Sequence, residues 1–361
     1  MKASRFLLLP FAGLYGIGIA VRNLAYDQGW NKRYAVGVPV ISVGNITAGG
    51  TGKTPMAEFL LEKLQVMGRH PAYLSRGYGR STQGYLRVDP EQAGGLRFGD
   101  EAVQVARRFP KLPVAVCEDR VEGARRLIAE DGADVIVLDD AFQHRRIARD
   151  LDLVMIDANR PPWRDHLLPA GRLREPRRSL RRAHAFIVSK WPAAMAPEMA
   201  AQTVPPALRP DTAVSVFGLE AVEVCAFAGE KKLPLSELKR YTGIAFAGLG
   251  NNAYFFRQVA RWLGDCSGTT GFRDHHVYTA GDREKILAQL RDREEKNNAK
   301  FDGPIILTTE KDYMRLRSTA GFTAWQTLPL YYVRVRLRPV WGERAFTQKI
   351  EETLKKYGKD Q

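Results

Sequence analysis

A short apolar strand pattern, Val40–Val43, ends in a glycine-rich turn, and the turn opens a helical pattern from about Lys53 to Met67. A strand that feeds through a tight turn into a helix must cross over before it can pair again, so it belongs to a parallel sheet. The rest of the chain repeats the theme. Pro71–Leu74, Val114–Val116, Asp134–Leu138, Leu151–Ile156 and Ala185–Val188 read as strands, and Gly99–Phe109 and Arg120–Glu130 read as helices. The continuous apolar run DVIVL at Asp134–Leu138 suits a strand buried on both faces. The expectation is an α/β fold, a mostly parallel sheet flanked by helices.

The turn itself is chemically specific. Residues Thr47–Thr54, TAGGTGKT, follow the phosphate-loop pattern G-x-x-x-x-G-K-[ST], with Thr47 in place of the first glycine. In such a loop the backbone amides of Thr47, Ala48, Gly49, Gly50, Thr51 and Gly52 wrap phosphates. Lys53 neutralises their charge and the Thr54 hydroxyl binds Mg²⁺. A glycine turn with a chance lysine has the same letters, but this one follows a strand and opens a helix, whose N-terminus favours anions. A nucleoside-triphosphate site also needs an acid at the end of a neighbouring strand. Asp139 and Asp140 follow DVIVL and fit that place, although paired acids at a strand end also make exposed turns.

At 361 residues the chain is too long for one ordinary core, so two domains are expected. A second β/α segment follows the Ala- and Pro-rich stretch 194–211. It has a strand at Ile244, helices near Tyr254–Leu263 and Asp282–Glu295, a strand at Pro304–Thr308 and a short helix at Asp312–Arg317. Thr279-x-x-Asp282 resembles a capping box. Val222–Ala228 and Leu330–Leu337 look like strands that pair as a connector between the two segments.

The net charge of +15 favours an anionic partner. Arg160, Arg164, Arg172, Arg174, Arg177, Arg178, Arg181 and Arg182 concentrate it, with Leu, Pro and Gly between them, which suits a shaped loop with forked donors for phosphate. Nucleic acid is disfavoured because Trp163 is the lone aromatic there. Cys117, Cys225 and Cys266 form no CxxC pair, so a reduced compartment fits and a zinc site does not. From Phe6 to Val21 the chain carries no charge, with Lys2 and Arg5 before and Arg22 after. That run is shorter than the roughly 20 residues needed to span a bilayer, and Pro10 is expected to bend it. Docking on an anionic membrane surface fits the basic flanks, and a helix buried on the domain is the other reading.

Two further groups are candidates for proton chemistry. GDEA at Gly99–Ala102 supplies Asp100 and Glu101, which at a helix start also serve the helix dipole. FRDHHVYTAGD at Phe272–Asp282 has the densest histidine cluster, and an Asp–His pair can take a proton from an acceptor hydroxyl. No local rule links the two.

VGNITAGGTGKTP, SRGYGR, GDEA, LDDAFQH, LLPAGRLREP, FAGLGN, FRDHH and TTEKDYMRL stand here in the order they have in the lipid A 4'-kinases. The chain resembles these tetraacyldisaccharide 4'-kinases of Gram-negative bacteria from its N-terminal apolar segment to about Leu316. The resemblance implies transfer of the ATP γ-phosphate, with Mg²⁺, to the 4'-hydroxyl of an acylated disaccharide 1-phosphate lipid at the cytoplasmic face of the inner membrane. It implies a membrane-associating segment at 1–30, a P-loop NTPase-like kinase domain at 31–215, and a smaller α/β domain at 216–361 with a two-stranded linker. It implies neither nucleic acid nor an obligate protein partner. By its motifs, Lys53 and Thr54 bind phosphates and metal, Asp139 and Asp140 support the metal, and Glu175 of LREP reaches the same site. Asp100 becomes the acid–base residue with His275 as its partner. Arg76, Tyr78, Glu101, Arg120, Gln143, His144, Arg172 and Arg174 are placed near nucleotide or lipid. TTEKD receives no role, since Glu310, Lys311 and Asp312 can cap and pair a turn. The alternative is a membrane-associated P-loop ATPase that drives assembly or partition.

Overall fold

The structure is a computed structural model that describes residues 7–358 except 91–94, 193, 209–211, 230, 251, 275, 297–300, 318 and 320. Helix α1 (Leu9–Asp27) precedes strand β1 (Val40–Gly44), which runs through the glycine loop into α2 (Lys53–Val66). Then come β2 (Pro71–Ser75), β3 (Leu86–Arg87), α3 (Gly95–Phe98), α4 (Asp100–Arg108), β4 (Val114–Val116) and α5 (Arg120–Asp131). They are followed by β5 (Val135–Asp139), β6 (Leu151–Asp157), β7 (Ala185–Ser189) and α6 (Ala200–Thr203). The second half contains β8 (Ala213–Ala226), β9 (Lys232–Pro234), β10 (Thr242–Ala247), α7 (Asn252–Trp262), β11 (Asp265–Gly271) and α8 (Ala280–Lys296). It ends with β12 (Pro304–Thr309), α9 (Glu310–Arg317), α10 (Phe322–Gln326), β13 (Leu330–Trp341) and α11 (Glu343–Lys355).

These strands form one continuous sheet in the order β11-β10-β12-β13-β8-β7-β6-β1-β5-β2-β4-β3, with β9 beside β8. Most pairs are parallel; β13 with β8, β8 with β9 and β3 with β4 are antiparallel. Successive strand residues point to opposite faces, and each face has its own helices. Ile41, Val43, Val135 and Val137 pack with Met56 and Leu60 of α2 and Val103 of α4. Val40, Ile136 and Leu138 pack with Val121, Ala124 and Leu127 of α5. In the second half α7 covers one face through Phe255 and Val259, and α8 covers the other through Ile286 and Leu290.

The expected connector exists and is longer than the sequence indicated. β8 and β13 pair from Tyr331↔Ala226 to Trp341↔Val216, while the start of β8 also pairs with β7 and the start of β13 with β12. The two halves are therefore hydrogen-bonded into one sheet. Because β13 runs back along β8, it returns the chain to the first half, and α11 packs there. Phe346 of α11 lies 5.2 Å from Phe217 of β8 and 6.0 Å from Phe59 of α2, between ring centroids. Lys63 meets Glu343 at 3.6 Å. The last helix of the chain thus packs into the core of the first half.

The N-terminal helix also departs from expectation. Pro10 lies in the first turn of α1 and bends nothing, because the missing N–H has no helical partner at that position. Among the described residues no helix is long and apolar enough to cross a membrane. Ala12 and Asn23 of α1 are buried, while Leu7, Phe11, Leu14, Ile17, Val21 and Leu24 are exposed.

Candidate functional site

Parallel pairing of β1 with β5 sets Val43 beside Asp139, so the glycine loop and the Asp139–Asp140 turn leave the sheet side by side. The crevice outside the carboxyl ends of parallel strands is where such folds bind ligands. The two turns touch. A Cβ on Gly44 would stand 2.5 Å from the Phe142 Cβ, so a larger residue would push them apart. Gly52 at the mouth of α2 has φ 91°, a left-handed conformation that turns the loop into the helix.

Lys53 and Thr54 are the first two residues of α2 and face the acids. The Thr54 hydroxyl donates to Asp139 Oδ2 at 2.9 Å, and the Tyr73 hydroxyl of β2 donates to the same oxygen at 2.8 Å. Asp139 Oδ1 is buried without a hydrogen-bond partner. Burial pushes the Asp139 carboxyl up to about 6, with the nearby Lys53 ammonium pulling the other way. Asp140 has φ 48°, in the left-handed region, and takes a forked pair of hydrogen bonds from Arg174 at 3.0 and 2.7 Å. Its Oδ1 lies 3.7 Å from Lys53 Nζ. Burial raises the Asp140 carboxyl, but Lys53 and Arg174 outweigh it and hold it below its ordinary value.

The arginine-rich loop is zipped onto the phosphate loop. Ala48 N–H donates to the Arg172 carbonyl at 2.8 Å and Arg174 N–H to the Ile46 carbonyl at 2.7 Å. Arg174 also donates to the Asn45 side chain, and Asn45 Nδ2 donates to Thr51 Oγ1 at 2.8 Å. Gln143 Nε2 donates to the Asn45 carbonyl at 2.8 Å and leaves its own Oε1 buried without a partner. His144 lies beside it, with Nε2 buried and unpartnered; burial and Arg120 depress it to about 4, so the ring is neutral at pH 7. Arg120 at the start of α5 donates to the Cys117 and Glu118 carbonyls, both at 3.1 Å, and is lowered to about 10 by burial and by Arg76. Arg76, Tyr78 and Arg172 are exposed at the rim.

Asp100 and Glu101 begin α4, where burial and then Glu101 raise the Asp100 carboxyl against Arg315 and Lys311. Arg315 Nε reaches Asp100 Oδ2 at 3.4 Å, and Lys311 Nζ reaches Glu101 at 3.4 Å. Arg315 also lies 3.2 Å from Asp274 of FRDHH. The structure thus links two motifs that no local rule connects. His275 lies outside the described residues. Its neighbour His276 is 2.9 Å from Asp282 and stacks on Phe272 at 4.5 Å, so it belongs to the start of α8. The capping box is present there, with Thr279 N–H donating to Asp282 at 2.8 Å.

Glu175 is held by donors from α1 and from its own loop. It is wholly buried, and Arg182 donates to both of its oxygens at 3.1 and 3.0 Å. Asn23 of α1 donates to Oε2 at 3.0 Å. A buried carboxylate needs compensating donors, and Glu175 finds them by seating α1. Asn45, Tyr73 and Arg315 were missed. Asn45 and Arg315 lie inside quoted motifs, and Arg315 falls one helical turn after Asp312; Tyr73 leaves no signal in the sequence.

An unclaimed carboxylate oxygen beside a threonine hydroxyl at the mouth of a phosphate loop is a hard-oxygen donor set, which fits Mg²⁺. Among the described residues no group of three or more His, Cys, Asp or Glu could hold a metal unaided.

Residues 4–355 match the family described as tetraacyldisaccharide-1-P 4'-kinase. The chain belongs to that family. Its kinase relatives include the tetraacyldisaccharide 4'-kinase of Chlorobaculum tepidum, 38% identical over 321 residues and 87% of each chain. The tetraacyldisaccharide 4'-kinase of Chlorobium limicola is 35% identical over 355 residues, 96% of this chain and 97% of its own. Among solved structures, LpxK from Aquifex aeolicus in complex with ATP matches with a TM-score of 0.74 and 29% identity, over 97% of this chain and 99% of that one.

Proposed function

We propose that the chain transfers the γ-phosphate of ATP to the 4'-hydroxyl of a tetraacyldisaccharide 1-phosphate lipid in lipid A biosynthesis. The observation that carries this reading is the Thr54–Asp139 contact at 2.9 Å, with Asp139 Oδ1 left over beside the Lys53–Asp140 pair. The loop amides and Lys53 bind the ATP phosphates, and the N-terminus of α2 adds its dipole. Thr54 and Asp139 would hold Mg²⁺, which supplies charge neutralisation at the transferring phosphate. Asp140, gripped by Arg174, keeps Lys53 in place.

The 4'-oxygen attacks the γ-phosphorus while the bond from that phosphorus to the β–γ bridging oxygen breaks, and ADP leaves. Asp100, with His275 as its partner, takes the hydroxyl proton; a carboxyl raised by burial is the better base at neutral pH. Arg76, Tyr78, Arg120, Gln143, His144 and Arg172 line the approach for the anionic sugar. Glu101 backs Asp100 through Lys311.

The exposed stripe Phe11, Leu14, Ile17, Val21 and Leu24 recurs at helical spacing on α1, with Leu7 just before it, and we assign it to the cytoplasmic surface of the inner membrane. The opposite side of α1 is tied to the arginine loop by Tyr15, whose hydroxyl donates to the Arg174 carbonyl at 2.9 Å. A lipid lying in the bilayer surface would then meet the phosphate site without leaving it. The nucleotide unit comprises 31–215 with α11, and β8–β13 carries the smaller unit.

The test is incubation with labelled ATP, Mg²⁺ and the disaccharide 1-phosphate, followed by detection of a bis-phosphorylated lipid. Asp100→Ala is expected to cut turnover by about 10²–10⁴-fold with ATP affinity kept. ATP turnover stimulated by bare membrane alone, with no labelled lipid, would overturn the kinase reading.

A further inference from the structure

TTEKDYMRL, to which the sequence assigned no site role, ends β12 and opens α9, which crosses from the second half to the acids of the first. Its turn is built first: Thr309 Oγ1 donates to Asp312 Oδ2 at 2.6 Å, and Gly248 N–H of the FAGLGN turn donates to the same oxygen at 3.1 Å. Asp312, wholly buried, then holds Arg315 at 3.1 Å. Arg315 spends Nη1 on the Gly248 carbonyl at 2.6 Å as well. What remains of the guanidinium fork points two ways, Nε to Asp100 at 3.4 Å and Nη2 to Asp274 at 3.2 Å. Lys311, one turn earlier on α9, repeats the arrangement with Glu101 at 3.4 Å and Asp274 at 3.8 Å.

We propose that Arg315 is the positioning residue of the base Asp100, joining it in the first half to Asp274 of the second. The proposal rests on the reading of Asp100 given above. Arg315 is buried and its nitrogens are spent on protein oxygens, so it touches neither phosphate nor sugar. A rigid planar fork can set two carboxylates at a fixed separation, which a flexible ammonium cannot. Asp100 and Asp274 come from elements 174 positions apart in a chain of 361, and Arg315 is anchored by Asp312 independently of either. Arg315 therefore holds Asp100 and Asp274 as one unit across the two halves. The charged groups facing Asp100 are Glu101 on its own helix and Lys311 and Arg315 on α9, while Tyr73 of β2 and Glu58 of α2 face α4 farther along.

The experiment compares Arg315→Met, Arg315→Lys, Asp100→Asn and the Asp100→Asn/Arg315→Met pair in the full chain with ATP, Mg²⁺ and acceptor lipid. Arg315→Met is expected to lower kcat by about 100-fold, the scale of a misplaced catalytic group, with the KM for ATP moved by less than about threefold. Loss of the neighbouring cation raises the Asp100 carboxyl further, so the acidic limb of the kcat/KM profile moves to higher pH. Arg315→Lys restores the limb and part of kcat. In the Asp100→Asn background the Met substitution adds less than about threefold, because its effect runs through the missing base. Losses that simply multiply, or a limb that stays in place, overturn the positioning role. Asp100→Asn retaining full turnover sinks the assignment of the base instead, so the two failures are told apart. Should Arg315→Met not fold, Lys311→Met at its half-buried position reads the same limb, and a limb unmoved there counts against the proposal.

Discussion

Asp139 shows how burial sets chemistry at a single residue. Its Oδ2 is satisfied by Thr54 and Tyr73 and its Oδ1 by nothing, so the carboxylate is poised for a cation. Asp139→Asn and Lys53→Ala are each expected to cost about 10²–10³-fold in turnover, measured by phosphate transfer to lipid across a Mg²⁺ titration. Asp139→Asn should also flatten the response to Mg²⁺, whereas Lys53→Ala should weaken ATP binding and leave that response intact. His144 gives a second check. Its ring is held neutral by burial and Arg120, and its NMR titration midpoint is expected at about 4 rather than near 6.5. A midpoint above 6 would show that the site admits more water, or more negative charge, than the packing here allows.

At the level of elements, two buried polar joints decide how helices meet. The first seats α1 on the arginine loop. Asn23 Nδ2 donates to Glu175 at 3.0 Å, and Arg145 donates to the Asn23 carbonyl at 3.0 Å. Asn23→Leu removes a donor from a buried carboxylate and is expected to cost about 1–3 kcal/mol in urea denaturation. The second joint lies where α2, α4 and β13 converge. Arg108 of α4 donates to Glu58 of α2 at 2.9 Å and to the Val335 carbonyl of β13 at 3.0 Å. Burial pushes Glu58 up to about 8 despite Arg108, and Glu310 of α9 adds to the rise. The folded state therefore keeps a proton that the unfolded chain loses near 4.5, and stability is fullest below 4.5 and declines as pH rises towards 8. Glu58→Gln cannot ionise, so the melting temperature of the parent is expected to fall relative to that of the variant across this window. Parallel curves would show that Glu58 is charged throughout.

The molecule as a whole joins a phosphate site to an apolar face through one loop. Residues 165–182 touch α1 on one side and the phosphate loop on the other, so removing the helix would disturb both. Substitution of the exposed stripe is the cleaner test. Leu14→Glu with Ile17→Glu is expected to weaken binding to anionic phospholipid vesicles by tenfold or more, since each buried apolar side chain contributes about 1.5–3 kcal/mol. The melting temperature should stay within a few degrees, because both positions face solvent. Unchanged vesicle binding would move the docking surface elsewhere on this basic protein.

Much of the architecture was written in local order. The strand, glycine loop and helix at 40–66, the alternation through β7, the capping box at Thr279 and the strand pair 222–228 with 330–337 all follow from short-range periodicity and turn chemistry. So did the proximity of Lys53, Thr54, Asp139 and Asp140, because parallel strands in register bring their ends together. The early part of β8, strand β11 and helix α11 escaped notice, since their patterns are weak and long-range packing stabilises them. The partners of Glu175 could not be read either: Asn23 and Arg182 lie on different elements and meet it only in the folded chain. The same holds for Tyr73 on Asp139 and for Arg315 between Asp100 and Asp274. Sequence by itself determined which chemistries were available and on which turns. Tertiary structure alone decided which acid keeps a free oxygen, which is neutralised and which are joined, because burial and partner distance set those states and neither is encoded over a few neighbouring residues.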